Sequence, residues 1–201
     1  MLEANDLRCE RGGRTLFRGL SFSLGAGEAL RIAGANGSGK TSLLRILCGL
    51  AAPAAGEVRW KGQPVSAQRE EYSRRIVYLG HAPGVKDELT ALENLTIACR
   101  LAGNVRNREE VSAALRTLTV PETALVKKLS QGQRRRAALA RLLLSQTVPL
   151  WLLDEPLAAL DAQAARLLEG LITEHTGRGG MVAYSTHQDT RIEGKVISLD
   201  A

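Results

Sequence analysis

The stretch Gly34-Ala35-Asn36-Gly37-Ser38-Gly39-Lys40-Thr41 has the spacing GxxxxGK followed by a hydroxyl residue, and Ser42 comes next. Small residues there let backbone N–H groups turn inward around phosphates. The helix that follows directs its positive N-terminal end at them. Lys40 is expected to reach the β- and γ-phosphate oxygens, and Thr41 to place its hydroxyl on Mg²⁺. The pattern predicts a bound nucleoside triphosphate.

Three other places carry residue types that act on such a ligand. Asp154 and Glu155 follow the apolar run Leu150-Trp151-Leu152-Leu153. Asp154 is suited to hold Mg²⁺, directly or through water, and Glu155 to accept a proton from the attacking water. His187, in Ser185-Thr186-His187-Gln188, is placed to hydrogen-bond the γ-phosphate and that water. Ser130-Gln131-Gly132-Gln133 opens a helix and offers a hydroxyl, a glycine N–H and a helix end, which together form a second anion site. Either this end simply caps its own helix, or it serves a nucleotide held by another copy of the chain.

The surrounding elements follow the order such a site needs. Leu2 to Arg8 reads as a strand, Gly12-Gly13 as a turn, and Leu20 to Leu24 as an alternating strand. Ala29 to Ala33 runs into the glycine loop, and Leu43, Leu44, Leu47 and Leu50 mark one face of the next helix. Ala51 to Gly56 is a connection, and Val58-Arg59-Trp60 and Ile76 to Leu79 are further strands. From Thr90 to Leu144 the spacing turns helical, as at Val111, Ala114, Leu115 and Leu118, with Thr90 and Ser130 as N-caps. Leu150 to Leu153 has the continuous apolarity of a buried parallel strand. Leu160, Ala164, Leu167, Leu168 and Leu171 mark a helix, and Met181 to Ser185 and Val196 to Leu199 are late strands.

Bulk properties narrow the function. At 201 residues the chain is one compact domain, or one with a subdomain. Aromatics make up only 3%, which argues against a face of stacked bases. The formal charge of +6 is first a solvated basic surface and second an attraction to anionic partners. Cys9, Cys48 and Cys99 form no metal or disulfide spacing, which points to a reducing compartment. The N-terminus lacks the pattern of a signal peptide. The apolar stretch Ala137 to Leu153 is broken by Arg141, Gln146 and Pro149, so it cannot span a bilayer unaided.

Taken together, these motifs resemble the ATP-binding subunits of ABC transporters over essentially the whole chain. Gly34 to Thr41 is similar to the Walker A loop, Leu150 to Asp154 to Walker B, and Glu155 to the catalytic glutamate that follows it. Leu129 to Gln133 is similar to the family signature, with Gln131 replacing its first glycine. Ala159-Leu160-Asp161 resembles the D-loop and His187 the switch histidine. The resemblance implies a single α/β domain over 1–201 of the ABC type of P-loop NTPase. It has a mixed sheet core, an N-terminal antiparallel β portion and an inserted helical subdomain at about 85–145. It also implies a head-to-tail homodimer sandwiching two ATP molecules with Mg²⁺, each site joining the Walker A loop of one chain to Ser130 and Gly132 of the other. Two positions depart from the family pattern. His81 stands nearest the usual Gln of the Q-loop, and Arg11 stands where an aromatic often stacks on adenine, as a guanidinium can.

A finer resemblance rests on Leu7 to Arg11, Arg14 to Phe17, Tyr78 to His81, Pro83 to Lys86 and Leu89 to Leu95. These are similar to the ATP-binding subunits of the bacterial haem exporters of cytochrome c maturation. That implies integral membrane permease subunits, a haem-handling membrane protein and a haem chaperone as partners, on the cytoplasmic face of the inner membrane. Hydrolysis would drive haem export or release of the loaded chaperone. Cys9, His81 and His175 form no haem-ligation motif. An ABC motor for another substrate is the alternative. A nucleic-acid-associated ATPase of this type is a further one, although the span from Thr41 to Leu129 has neither heptads nor a metal cluster, and no direct nucleic-acid contact is expected. The basic runs Arg134-Arg135-Arg136 and Arg74-Arg75 read as helix surface and subdomain rim. A non-hydrolysing scaffold conflicts with an intact Glu155 and His187.

Overall fold

Alternating apolar residues let one part of the chain pair as a half-exposed sheet, and continuous apolar runs such as Leu150 to Leu153 bury another on both faces. The computed structural model describes residues 1–199. In chain order the elements are β1 (Leu2–Arg11), β2 (Arg14–Leu24), β3 (Ala29–Ala33), α1 (Lys40–Leu47), β4 (Ala55–Trp60), β5 (Gln63–Pro64), α2 (Arg69–Ser73) and β6 (Ile76–Leu79). They continue with α3 (Ala91–Leu101), α4 (Arg108–Thr117), α5 (Gln131–Leu143), β7 (Leu150–Leu153), α6 (Ala162–Gly177), β8 (Met181–Ser185) and β9 (Lys195–Ser198).

The antiparallel and parallel portions form separate sheets. One runs β2-β1-β4-β5 and is antiparallel throughout. The other runs β6-β7-β8-β3-β9 with every pair parallel. Its middle strands alternate between two cores. Trp151, Leu153, Val182 and Tyr184 face a core shared with α3 to α6. Leu150, Leu152, Ala183, Leu30 and Ile32 face a second core shared with α1 and the antiparallel sheet. All four residues of β7 are therefore buried, and each large side chain contributes about 1.5–3 kcal/mol on leaving water.

Several local boundaries differ from the sequence reading. Helix α1 stops at Leu47 because Gly49 takes φ 75°, and N–H groups of Gly49 and Leu50 close back on Ile46 and Arg45. Leu50 is thereby thrown out of the helix and exposed. Strand β2 begins at Arg14 rather than near Leu20, since β1 offers it a partner along its whole length. Strand β4 begins at Ala55, inside the expected connection. Leu160 precedes α6, because Asp161 caps that helix by accepting from the Ala164 N–H. The helical stretch after Thr90 is three helices, and each opens on a reciprocal capping box: Thr90 with Glu93, Asn107 with Glu110, and Ser130 with Gln133. Strand β9 covers Lys195–Ser198 and leaves Leu199 just outside it.

Candidate functional site

The parallel sheet brings four strand ends into one row. Strands β6, β7, β8 and β3 are neighbours, and the segments leaving their C-terminal ends carry His81, Asp154 with Glu155, His187, and the glycine loop. In open parallel sheets, ligands bind in this position. A cleft of about 510 Å³ lies there, lined by Arg11, Leu16, Asn36, Gly37, Gly39, Lys40, Thr41, Ser42, His81, Asp154, Glu155, Ala158 and His187. Residues far apart in sequence are thus on one wall set.

Within the loop, Lys40 is buried and its Nζ donates to the carbonyls of Gly34 at 2.7 Å and Ala35 at 2.9 Å. The ammonium is held inside the turn that it helps to shape. Ser38 Oγ is buried and has no hydrogen-bond partner among the described residues. Gly39 sits at φ 107°, and a Cβ there would meet Leu16 and Phe17 of β2 at 3.1 Å. Only glycine therefore lets the loop pass beneath β2. Helix α1 starts without any side-chain cap, so its first N–H groups face the cleft as an anion site.

A hydrogen-bonded chain crosses from α1 to β8. Thr41 Oγ1 donates to Asp154 Oδ2 at 2.8 Å, and Ser185 Oγ donates to Asp154 Oδ1 at 2.8 Å. The Glu155 N–H in turn donates to Ser185 Oγ at 2.9 Å. Asp154 is only 1% exposed, so this pairing is what makes its burial tolerable. Glu155 adopts φ 48°, a left-handed conformation that costs a non-glycine residue about 1–3 kcal/mol. Its Oε1 lies 3.2 Å from His187 Nε2. That contact is close but lacks hydrogen-bond alignment, and Oε1 has no hydrogen-bond partner among the described residues. Both side chains are left to engage something in the cleft.

Arg11 ends β1 and His81 follows β6, and both reach the same cleft. The signature residues do not. Ser130 and Gln131 are exposed, and they stand apart from the cleft of their own chain. Ser130 Oγ accepts from the Gln133 N–H at 3.2 Å, and Gln133 Oε1 accepts from the Ser130 N–H at 2.9 Å. The hydroxyl thus caps its own helix in this structure. Gly132 packs so that a Cβ would sit 3.0 Å from the Ala159 carbonyl. Asp161 likewise has partners in its own chain, with Oδ2 accepting from Arg136 Nη1 at 2.9 Å. The Ala164 N–H holds its carboxyl below the usual range first, with the Arg136 guanidinium adding to the effect.

The expectation that Arg134, Arg135 and Arg136 form helix surface is corrected at Arg135. This residue is 5% exposed and lies in register with buried Ala138, Leu139 and Leu142. That spacing was readable as an arginine inside an apolar stripe. Arg134 pairs with Asp87 and Arg136 with Asp161, so the run is committed to its own chain rather than to an external anion. Ser185 was also missed. A hydroxyl ending the apolar run Met181 to Tyr184 was its only signal in the sequence.

Among the described residues, no three His, Cys, Asp or Glu cluster as a metal site. A hydroxyl and a carboxylate oxygen do converge at Thr41 and Asp154, and hard oxygen donors of this kind suit Mg²⁺ supplemented by phosphate and water. Among the described residues, no helix is long and apolar enough to cross a membrane.

Comparison with known proteins places these features in a wider set. The ABC transporter family matches residues 17–158. The cytochrome c biogenesis ATP-binding export protein CcmA of Nitrosospira multiformis is 50% identical over 98% of this chain and 96% of its own length. Its namesake in Aromatoleum aromaticum is 52% identical over 94% of this chain and 89% of its own. The Escherichia coli K12 protein of that name is 47% identical over 98% and 94%. Among solved structures, an ABC transporter ATP-binding protein from Pyrococcus furiosus superposes with TM-score 0.83 at 23% identity, covering 98% of this chain and 96% of that one. A bacterial ABC transporter cassette solved as a dimer gives TM-score 0.84 at 23% identity, covering 98% and 94%.

Proposed function

The chain belongs to the ABC transporter family, and on that premise we propose that it is the ATP-hydrolysing subunit of a membrane complex in cytochrome c biogenesis. The observation that carries the catalytic part is the bonded chain from Thr41 through Asp154 and Ser185 to Glu155 beside His187.

The site residues divide the task. The loop from Gly34 to Thr41, with Ser42, cradles the phosphates through its backbone N–H groups, and Lys40 moves from the loop carbonyls to the β- and γ-phosphate oxygens. Arg11 at the cleft rim lies against the adenine. Thr41 and Asp154 would hold Mg²⁺, which when bound offsets the charge gathering on the phosphate oxygens. Glu155 accepts the proton of the attacking water. His187, within reach of the same carboxylate, holds the γ-phosphate and orients that water. His81 occupies the Q-loop position at the edge of the cleft.

One chain supplies only half of each working site. Ser130 and Gln131 are exposed, and a second copy brings Ser130, Gln131, Gly132 and Gln133 onto the nucleotide held by the first, with Asp161 of the D-loop beside them. The partners are accordingly a second copy, permease subunits in the membrane, a haem-handling membrane protein and a haem chaperone. The chain docks peripherally at the cytoplasmic face of the inner membrane. Hydrolysis there drives haem export or release of the loaded chaperone.

The test is purification of the complex with its membrane partners. Haem absorbance in it, together with ATPase activity lost in Glu155→Gln, is the expected result. Co-purification with a permease that carries no haem would overturn the haem assignment while leaving the motor assignment in place.

A further inference from the structure

Arg135 does something that neither the signature nor the catalytic carboxylate accounts for. Its guanidinium joins two segments, Gly80-His81 and Asp154-Glu155, and donates to four backbone carbonyls. Nη1 reaches Gly80 O at 3.0 Å and His81 O at 3.1 Å, and Nη2 reaches Asp154 O and Glu155 O, both at 2.7 Å. Nε is buried and has no hydrogen-bond partner among the described residues. No carboxylate closes an ion pair with it among the described residues, so a nearly buried cation is spent on neutral carbonyls at two strand ends. A buried charge costs several kcal/mol to desolvate, and arginine is the side chain whose planar fork can hold several acceptors at once. Burial pulls its proton affinity down, while the nearby Asp154 and Glu155 charges push it up.

The consequence falls on Glu155. Its peptide is gripped on both sides, the N–H by Ser185 Oγ and the C=O by Arg135 Nη2. A residue at φ 48° stays there only when its surroundings over-determine it. The same guanidinium fixes the backbone of His81, and it rides on α5 about one and a half turns beyond Ser130. We propose that Arg135 is a positioning residue that sets the Glu155 carboxylate and ties it mechanically to the His81 segment and to the helix that opens at Ser130. This rests on the reading of Glu155 as general base and of Ser130 as the end that meets a second copy's nucleotide. In such a dimer, Arg135 links the helix end engaged at one nucleotide to the base that acts at the other.

The experiment compares full-length wild type, Arg135→Met and Arg135→Lys for ATP affinity, single-turnover hydrolysis and Tm. In Arg135→Met, turnover is expected to fall about 10²-fold, the scale of an ångström misplacement, with ATP affinity within about threefold. Arg135→Lys should recover Tm but stay at least about tenfold slow, because one ammonium cannot span four carbonyls. In a Glu155→Gln background, Arg135→Met should cost under about threefold more, since residues acting as a unit are not additive. Turnover of Arg135→Met within twofold of wild type would overturn the proposal. So would an undiminished loss in the Glu155→Gln background, or recovery of turnover in step with Tm by lysine. If Arg135→Met does not fold, Arg135→Lys decides alone, and wild-type turnover in it refutes the assignment. A wild-type complex, purified with its membrane partners, that binds ATP without hydrolysing it removes the functional reading and this proposal together, which distinguishes the two failures.

Discussion

Helices α1 and α5 both open on a glycine-containing stretch, yet one end is uncapped and faces the cleft of its own chain while the other is exposed and capped by its own side chains. The α1 end lies under β2, with Gly39 pressed against Leu16 and Phe17 and Lys40 folded into the loop. The α5 end carries the reciprocal box of Ser130 and Gln133. The same kind of glycine-containing helix start thus occurs in two states. An uncapped end keeps its N–H donors for a ligand of its own chain. A capped, exposed end is stable alone, because its own side chains already satisfy its donors.

The sharpest test of this contrast removes chemistry from the α1 side alone. Glu155→Gln should lower turnover by about 10²–10⁴-fold, the range for a general base, while leaving ATP binding and ATP-driven dimerisation in place. Steady-state hydrolysis and size-exclusion chromatography with ATP read both. Lys40→Ala should weaken ATP binding by about 1.5–3 kcal/mol, roughly 10- to 150-fold, the worth of a charged hydrogen bond, as equilibrium binding would measure. Retained tight binding would mean that the α1 end is not the phosphate site.

Smaller effects probe the ends as structures. Gly39→Ala combines a left-handed backbone with contacts at 3.1 Å, so it should cost about 1–3 kcal/mol of stability, seen as a lowered midpoint in urea. Ser130→Ala should cost about 1 kcal/mol as a lost cap. It should leave the ATP affinity of a single chain unchanged and abolish ATP-driven dimerisation. If it instead weakened binding by the single chain, the two ends would share one ligand and the contrast would collapse.

The smallest expected effect is a control remote from both ends. His175 stacks on Trp151 with ring centroids 3.8 Å apart, and its imidazole is buried. Burial lowers its proton affinity. The unfolded chain therefore protonates first as pH falls, and stability is lost on going below about pH 6.5. His175→Leu should flatten that decline in a urea-denaturation series across pH without altering turnover at neutral pH.

How far these features could be read in advance depended on whether the signal was local. The glycine loop was legible because the small residues that bend the chain between β3 and α1 are adjacent in sequence. The caps at Thr90 and Ser130 were legible because a capping box lies within four residues. Arg135 was read as surface because it stands in a run of arginines, and charge outweighed the apolar stripe it interrupts. Ser185 gave only a hydroxyl at the end of an apolar run. Its partners, Asp154 and Glu155, come from a different strand, and nothing local announces them. The exposure of Leu50 followed from one glycine in a left-handed conformation, which spacing alone does not register.

The glycine loop, the acidic pair after an apolar run, the helix start at Ser130 and the family they mark were all readable from the residues alone, because each is a short pattern whose spacing lies within a few residues. Only the tertiary structure decided that four strand ends stand in one row, that Ser185 bridges Asp154 and Glu155, and that Arg135 is a buried strut rather than a surface charge. Those depend on the order β6-β7-β8-β3, and strand order is set by which faces can be buried together, a property of the whole chain and not of any segment.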